Sequence, residues 1–512
     1  MKKKIISLLM CLMLPLSALT ACAPGNAQNS GADTTAGATT TTVADSKSGA
    51  VKEPKYIFLF VGDGMSHVQI NAAQVYRGNN TEGEVTTKSL NFTQFPEAGV
   101  ATTHDATSFC PDSASTATSL STGVKTHSGV IGMEKDKKTV VPNISEKLKA
   151  KGKKIGIVST VTINHATPAA FYSHVASRND YYDIAMQMAE SGFDYFGGGS
   201  ISQATGKNKD QADAYGVLES KGYKVIKTKE EIEALNSFSG KVYAMSPVLQ
   251  DSGAMPYSLD AKSDGVSFAD FVKKGIDVLD NENGFFMMAE SGKIDWAGHA
   301  NDALSGISDV LGLDEAVQVA VDFANKHPDE TLILVTGDHE TGGMTIGYAA
   351  TGYDTAFSIL NNQKLSYVAF DEMIGKMKEE KTNMTMADVM PVITENFGLI
   401  APTDAAAKDE SKKAFVLTDY EYKKLENAFA ESMKAEDKRS SDDEAMLLYG
   451  GYDPLSVTLT HIINNKAGIG WTSYAHTGTP VPVYAYGAGA ELFGGSYDNT
   501  DIYKKLAELT GI

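Results

Sequence analysis

The chain has 512 residues, of which 42% are hydrophobic, and its formal net charge at pH 7 is -19. This length and apolar content are sufficient for a large folded core and exclude a disordered chain or a repeat protein. The acidic balance argues against nucleic acid as the main partner, because no basic face is available to displace the counterions of a phosphate backbone.

The first 21 residues show the order of segments found in export signals. Three lysines at positions 2 to 4 form a basic start, an apolar stretch follows over residues 5–16, and Leu-Thr-Ala-Cys ends at Cys22. This ending resembles the lipobox of bacterial lipoproteins, in which the peptide is cut before the cysteine and a lipid is attached to its thiol. An ordinary secretory signal with an incidental cysteine is the alternative. On both interpretations residues 1–21 are a signal peptide and the protein lies outside the cytoplasm; the lipobox further implies lipid attachment at Cys22 and anchoring to the cell membrane.

Residues 22–54 are predicted to form a flexible tether. They are mostly Gly, Ala, Ser, Thr and Asn, and such a segment buries too little apolar surface to offset the entropy lost on ordering. No other apolar stretch reaches the roughly 20 residues that a spanning helix needs, so the lipid would be the only membrane anchor. Cys110 is the only cysteine of the folded body, which excludes an intrachain disulfide there, and we expect its side chain to be buried.

From residue 55 onward, short apolar runs alternate with helical segments. The strand-like runs are YIFLFV, KKIGIVST, GFFMMA, TLILVTG and VPVYAYG, and helices are expected near 67–77, 113–122, 180–191, 309–326 and 500–509. This alternation is typical of a right-handed, parallel sheet. We therefore expect residues 55–512 to form a doubly wound α/β domain with a mostly parallel central sheet and helices on both faces. Over 345–470 the alternation gives way to charged, helix-prone sequence, which predicts a helix-rich insertion.

Side chains that can bind metal follow four of the predicted strands. Asp63 comes after YIFLFV, Glu290 after GFFMMA, and Asp338 and His339 after TLILVTG, while Thr167 lies beyond IGIVST. Ligands of α/β proteins bind just beyond the carboxyl ends of parallel strands, where these residues would meet. The sequence therefore predicts a metal site at this edge of the sheet.

The segment GKIDWAGHAND adds two further candidate ligands. Asp295 and His299 are four residues apart, so on one helical turn their side chains lie about 5 to 6 Å apart on one face. Taken alone, this spacing is more typical of a solvated helix pair. Glu290 and the Asp338–His339 pair favour a metal site, because charges near a buried strand are costly without a counterion and zinc binds nitrogen and carboxylate oxygen.

Two more segments suggest a reaction at this site. In CPDSASTATSLSTG, Asp112 and Ser113 stand at the start of a predicted helix, where simple N-capping is the common role of such residues. Next to a metal ion, however, Ser113 could be activated as a nucleophile without a histidine base. The segment NHATPAAFYSHVASR contributes His165 and Arg178. An arginine guanidinium can donate two parallel hydrogen bonds to two oxygens of one phosphate.

Six segments taken together resemble the alkaline phosphatases. They are VGDGM, DSASTATSLSTGVKT, ATPAAFYSHVASR, ESGKIDWAGHA, TGDHETGG and YAHTG, which occur in that family's order and span most of residues 55–345 and 470–512. The resemblance implies an enzyme that hydrolyses small phosphate monoesters through a phosphoserine intermediate and releases inorganic phosphate. It also implies a possible homodimer, since the family is often dimeric.

The resemblance assigns a role to each matched residue. Ser113 would be the nucleophile and Arg178 would grip the non-bridging phosphate oxygens. Two Zn²⁺ and one Mg²⁺ are implied: the ligands would be Asp295, His299 and His476 for the first zinc, Asp63, Asp338 and His339 for the second, and Thr167 and Glu290, with Asp63 bridging, for magnesium.

Two positions depart from the best-known bacterial pattern, which has Asp and Lys where His165 and Trp296 stand. The resemblance implies that these residues lie behind the ligands or bind metal conditionally, and that Co²⁺ is an alternative ion. A phosphodiesterase or sulfatase of the same superfamily is the alternative enzyme, although nothing after Cys110 matches the C-x-P-x-R pattern of sulfatases. A lipoprotein that binds phosphate or metal without turnover is a third hypothesis.

Overall fold

A ten-stranded sheet lies at the centre of the folded part of the chain. The structure is a computed structural model that describes residues 53–78 and 85–512. The predicted signal peptide (1–21), the lipid attachment at Cys22 and nearly all of the predicted tether (22–54) lie outside these described residues. Within them, no helix is both long and apolar enough to span a membrane.

The described residues contain fourteen strands, four of them only two residues long. They are β1 (Tyr56–Gly62), β2 (Glu97–Thr102), β3 (Lys154–Ser159), β4 (Tyr195–Gly198), β5 (Lys224–Ile226), β6 (Val242–Met245), β7 (Phe285–Ser291), β8 (Thr331–Gly337), β9 (Glu340–Thr341), β10 (Thr345–Ile346), β11 (Ile469–Gly470), β12 (His476–Thr477), β13 (Val481–Gly487) and β14 (Gly495–Asp498).

The main sheet has the strand order β14-β2-β13-β8-β1-β7-β3-β4-β6-β5. Its neighbours run parallel except where β13 pairs with β8 and with β2. The predicted, mostly parallel α/β sheet is therefore confirmed. The reversed direction of β13 was not predictable, because the run VPVYAYG indicates a strand without indicating which way it enters the sheet.

Sixteen α-helices accompany the strands within the described residues. They are α1 (His67–Gly78), α2 (Ser113–Thr122), α3 (Ile144–Ala150), α4 (Ala166–Ala169), α5 (Tyr181–Glu190), α6 (Ala214–Ser220), α7 (Lys229–Glu233), α8 (Phe268–Leu279), α9 (Lys293–His299), α10 (Ala303–Ala324), α11 (Tyr367–Glu380), α12 (Met386–Phe397), α13 (Asp419–Ser432), α14 (Asp443–Tyr449), α15 (Pro454–Ala467) and α16 (Thr500–Thr510).

Helices cover both faces of the sheet, and β1 shows why its residues are apolar throughout. Phe58 and Phe60 pack in a core with α1, α8 and α10, whereas Ile57 and Leu59 pack in a second core with α2, α3, α5 and α16. Successive side chains of a strand point to opposite faces, so a strand covered on both sides is apolar at every position.

The register of the central strands aligns their carboxyl ends. Gly62 of β1 is paired with Ser291 of β7 and with Gly337 of β8. Asp63 and Asp338 each follow one of these paired glycines, and Glu290 is the next-to-last residue of β7. The expected meeting of acidic residues at one edge of the sheet follows directly from this alignment.

Two expectations about local structure need correction. Cys110, expected to be buried, is exposed. It lies in the loop before α2, where its backbone N–H donates to the Ser108 hydroxyl and the neighbouring Phe109 is also exposed. The helix expected near 309–326 is α10, which begins at Ala303 because Asp302 caps it by accepting a hydrogen bond from Ser305 N–H.

The segment predicted to be an insertion, 345–470, contains α11 to α15. At its two ends, β10 pairs with β11 in antiparallel fashion, with Thr345 opposite Gly470. The chain thus leaves and re-enters the sheet-bearing part at one place. Apolar side chains of this segment, such as Phe370 and Leu455, belong to the same core as β1 and α10.

Candidate metal centre

Three groups of carboxylate and imidazole side chains lie where the central strands end. In each group the potential ligand atoms lie within 4.8 Å of one another. The first group is Asp295, His299 and His476, the second is Asp63, Asp338 and His339, and the third is Asp63, His165 and Glu290. All eight residues named in these groups were singled out from the sequence, and the fold brings them together from segments distant in the chain.

The first group joins α9 to β12, whose first residue is His476. Asp295 and His299 lie one turn apart on α9, with His299 Nε2 3.4 Å from Asp295 Oδ2, and His476 Nε2 lies 3.4 Å from Asp295 Oδ1. Each imidazole has its Nδ1 2.6 Å from a backbone carbonyl, that of Tyr474 for His299 and that of Pro111 for His476.

These carbonyl contacts determine which tautomer each of the two histidines adopts. A carbonyl oxygen only accepts, so Nδ1 must be the protonated nitrogen, and each Nε2 is turned toward the group. The two Nε2 atoms lie 3.0 Å apart. Outer contacts of this kind orient histidine ligands in metal sites. Burial raises the pKa of Asp295, but His299 and His476 outweigh this effect and hold it well below its usual range.

The second group is fully buried at the ends of β1 and β8. Two backbone N–H groups, of Gly64 and His339, donate to Asp338 Oδ1 at 3.1 and 2.9 Å. The other oxygen, Oδ2, accepts from the Thr116 hydroxyl at 3.1 Å and lies 3.4 Å from His339 Nε2. His339 Nε2 also lies 3.3 Å from Asp63 Oδ1, so the three side chains converge on one point.

The third group shares Asp63 with the second. Its remaining members are Glu290 and His165, the residue before α4. Thr167, expected as a ligand here, lies beside the group and donates to Asp63 Oδ2 at 3.2 Å. Burial raises the pKa of Glu290 to about 8, and burial together with the charge of Arg178 lowers the pKa of His165 to about 3. The imidazole is therefore neutral and has a lone pair available.

Three buried atoms of the third group accept no hydrogen bond from the described residues, and this indicates whether a cation would fit there. Among the described residues, Asp63 Oδ1, Glu290 Oε1 and His165 Nδ1 are buried and have no hydrogen-bond partner. Burial and then the repulsion of Asp338, Asp295 and Glu290 raise the pKa of Asp63 well above its usual range. Unpaired buried carboxylates this close are costly unless a cation neutralises them. The donor set, carboxylate oxygen with imidazole nitrogen, suits divalent metal ions.

Ser113 begins α2 directly beside the second group. It is 1% exposed, and its Oγ lies 3.1 Å from His339 Nε2. The helix cap is Asp112, whose Oδ1 accepts from Ser115 N–H at 3.1 Å. The capping role that could have explained both residues thus belongs to Asp112 alone, which leaves the Ser113 hydroxyl directed at His339, a candidate metal ligand.

Arg178 lies on the other side of Asp112 from the helix. Its Nη1 donates to Asp112 Oδ2 at 3.0 Å, and its Nη2 lies 3.4 Å from His165 Nε2. Burial raises the pKa of Asp112, but Arg178 and the hydrogen bonds from Gly129 and Ser115 hold it below its ordinary value. The pair is therefore ionised, and the guanidinium faces the cavity that also contains Ser113.

A cavity of about 360 Å³ connects these side chains. Its lining comprises Ser113, His165, Arg178, Asp251, Ser252, Asp295, Trp296, His299, Tyr367, Tyr452 and His476. Three of these residues, Asp251, Tyr367 and Tyr452, were not predicted from the sequence, because no motif surrounds them. Thr341, whose hydroxyl donates to Asp295 Oδ1 at 2.5 Å, was not predicted either, although it lies inside the segment TGDHETGG.

Known proteins of one family are similar to this chain over most of its length. A family model described as alkaline phosphatase matches residues 54–512. The chain is 32% identical over 460 residues to alkaline phosphatase 4 of Bacillus subtilis (strain 168), covering 88% of this chain and 87% of that protein. Its structure is similar to that of a cold-active alkaline phosphatase from the psychrophile Shewanella sp., with a TM-score of 0.72, 28% identity and coverage of 89% and 99% of the two chains. A histidine-to-aspartate variant of the TAB5 alkaline phosphatase, solved with Mg bound in its M3 site, gives a TM-score of 0.60 at 26% identity, with coverage of 90% and 99%.

Proposed function

The chain belongs to the alkaline phosphatase family and is a phosphomonoester hydrolase, and from this premise we propose that it acts through a phosphoserine formed at Ser113. The observation that carries the proposal is the position of the Ser113 hydroxyl, 3.1 Å from His339 and free of any capping role. The reaction releases an alcohol and inorganic phosphate.

The proposed ion content is two Zn²⁺ and a third ion. Asp295, His299 and His476 would hold one zinc, and Asp63, Asp338 and His339 the other. Glu290, Thr167 and the shared Asp63 would hold Mg²⁺, with Co²⁺ as the alternative because His165 offers a nitrogen ligand. When bound, the paired zinc ions supply the positive charge that stabilises the attacking and leaving oxygens and generates hydroxide at neutral pH.

The side chains of the protein orient the phosphate and carry the transferred group. Arg178 binds two non-bridging oxygens of the ester, and Asp112 holds the guanidinium in place from behind. Ser113 Oγ gives up its proton and attacks phosphorus; the new Oγ–P bond forms as the ester P–O bond breaks, and the leaving oxygen takes up a proton. Water then attacks the phosphoserine, which restores the Ser113 hydroxyl and frees phosphate.

The charge of the site favours a dianionic substrate. Five carboxylates, those of Asp63, Asp112, Glu290, Asp295 and Asp338, would be outweighed by three divalent ions together with Arg178. This net positive charge, enclosed in an acidic protein, attracts a phosphate monoester more strongly than a monoanionic diester or sulfate. The support for a monoesterase over a diesterase or sulfatase is thus the extra positive charge contributed by Arg178 and the third ion.

The test of this proposal compares two serines of the same helix. Ser113→Ala is expected to abolish hydrolysis of p-nitrophenyl phosphate and labelling of the protein by radioactive phosphate while the thermal stability is kept. The control, Ser121→Ala, removes a hydroxyl that bonds only within its own helix, to Thr118 O, and is expected to retain activity. Retained activity in Ser113→Ala would overturn the assignment, and faster hydrolysis of the bis-ester or the sulfate would favour the alternative enzymes.

The proposed location is the outer side of the cell membrane. The lipobox-like sequence supports a lipid on the Cys22 thiol, and the family resemblance supports a homodimer. Cys22→Ser is expected to release active protein into the soluble fraction. Membrane association unchanged by this substitution would contradict the lipid anchor.

A further inference from the structure

Three aromatic side chains outside the metal groups line the cavity that contains Ser113 and Arg178. They are Trp296, Tyr367 and Tyr452. The rings of Tyr367 and Tyr452 are 5.8 Å apart and packed edge to face, and Tyr367 makes a second contact of this kind with Tyr257 at 5.9 Å. Since Tyr367 and Tyr452 belong to the predicted insertion, this segment completes part of the cavity wall.

Tyr367 is held in place by two carboxylates of the sheet-bearing part. Asp302 accepts a hydrogen bond from Tyr367 N–H at 3.0 Å while also capping α10. Asp260 accepts from the N–H and the hydroxyl of Ser366, the residue that precedes α11, at 2.8 and 2.5 Å. The start of α11 is therefore fixed to the main part of the fold, and the position of the Tyr367 ring is fixed with it.

Trp296 is held by a buried lysine. The Lys293 ammonium, fully buried, lies 4.8 Å from the centre of the Trp296 ring and 3.8 Å from that of Tyr257. Asp251 Oδ2, 3.4 Å from Lys293 Nζ, provides the opposing charge. The His165 ring contacts Trp296 edge to face at 5.8 Å. These contacts set the indole orientation in the absence of any substrate, while the ring stays partly exposed in the cavity.

We propose that these three rings form a binding site for a planar aromatic leaving group, so that the preferred substrates are phosphate monoesters of an aryl or similarly flat ring. This inference rests on the proposed function, because the phosphate must occupy the end of the cavity defined by Ser113 and Arg178. The organic part of the ester then lies against the remaining wall. Because the rings are already held in place, they lose little conformational entropy when a ligand binds. Contacts between aromatic rings also contribute binding energy in addition to that of the buried surface.

The test measures binding of inert phosphate analogues to the metal-loaded protein by calorimetry. The probes are inorganic phosphate, methylphosphonate and phenylphosphonate, which share the charged end and differ in the attached group. Phenylphosphonate is expected to bind about tenfold more tightly than methylphosphonate. Tyr452→Ala is expected to reduce this ratio at least about threefold without changing the affinity for methylphosphonate.

Matched variants separate loss of the ring from loss of the fold. Tyr452→Leu keeps apolar volume without a ring and should reduce the ratio as Tyr452→Ala does, whereas Tyr452→Phe should keep it. The control is Tyr353→Ala, which removes a fully exposed tyrosine of the same insertion and should leave all three affinities unchanged.

The possible results distinguish this site from the proposed reaction. Equal affinities for the two phosphonates, or a ratio unchanged in both Tyr452→Ala and Tyr452→Leu, would overturn the aromatic site even if hydrolysis proceeds. A tighter phenylphosphonate complex in a protein that hydrolyses nothing would support the site and refute the reaction. Failure to bind any of the three probes would overturn both.

Discussion

Arg178 Nη1 lies 3.0 Å from Oδ2 of Asp112, the residue directly before Ser113. The other carboxylate oxygen of Asp112 accepts from the N–H groups of Ser115 and Gly129, at 3.1 and 2.9 Å. One carboxylate therefore fixes both the start of the helix that bears the proposed nucleophile and the guanidinium proposed to bind the phosphate. The spacing between attacking and binding groups depends on this single side chain.

Asp112→Asn is expected to lower kcat/KM for p-nitrophenyl phosphate by about tenfold and to weaken inhibition by phosphate. The amide can still cap α2 with its oxygen, but its NH₂ group cannot accept from Arg178, so the guanidinium loses its alignment. Steady-state kinetics measure the effect. Asp314→Asn is the matched control, because it disrupts a different aspartate–arginine contact, with Arg77 at 3.3 Å, away from the cavity. Similar losses in both variants would contradict a positioning role for Asp112.

Removal of metal is expected to destabilise the folded protein. Without cations, the carboxylates of Asp63, Glu290 and Asp338 are buried close together, and their repulsion opposes folding. Asp63→Asn should therefore have a higher Tm than the wild type in chelator and a lower Tm in excess zinc. Thermal melts under both conditions test this reversal, with the exposed Asp322→Asn as control. A lower Tm of Asp63→Asn under both conditions would contradict the explanation.

Replacement of the imidazole in the third group should change its preference for metal. His165→Asp replaces a nitrogen ligand by oxygen, which favours Mg²⁺ over Co²⁺. Metal-free His165→Asp loaded with zinc is expected to regain activity at Mg²⁺ concentrations about tenfold lower than the wild type needs. His67→Asp, at an exposed histidine at the start of α1, is the control. An unchanged Mg²⁺ requirement in His165→Asp would show that this residue does not contact the third ion.

Asp371 of α11 should make stability depend on pH. Burial, and then the nearby charge of Asp453, raises the pKa of Asp371 to about 8, against about 3.9 in an unfolded chain. The folded state thus holds the proton more tightly, so the contribution of this group to stability is present below pH 4 and is lost as the pH rises toward 8.

Asparagine does not titrate, so in Asp371→Asn the stability does not fall through ionisation of this side chain as the pH rises. Its Tm is expected to exceed that of the wild type by about 2 °C at pH 9 and to equal it at about pH 4, as calorimetric melts would show. Asp437→Asn, at an exposed position of the same insertion, should give no such difference. A gain of equal size at both pH values would point to packing instead of charge.

The sequence indicated where three of the candidate metal ligands lie, because their positions follow from strand ends. Asp63, Glu290 and Asp338 needed only the parallel register of three neighbouring strands, which the apolar runs already indicated. His476 depended on the family resemblance, since it precedes β13, the strand that runs in the opposite direction. Residues placed by contacts between remote segments had no local pattern to mark them. Asp112 contacts Arg178, which lies 66 positions later in the chain, and Tyr367 lines the cavity from a helix whose start is held by Asp302 and Asp260.

The reversed direction of β13 has a consequence for the timing of assembly. Because β13 is antiparallel to β8, its amino end lies at the edge of the sheet where β1, β7 and β8 end. His476, which precedes β13, therefore joins Asp295 and His299 only when the last part of the chain has been synthesised. A chain that stops before residue 476, or one still growing on the ribosome, lacks a complete first group. Under the proposed ligand assignment, products that end before residue 476 are therefore expected to lack catalytic activity.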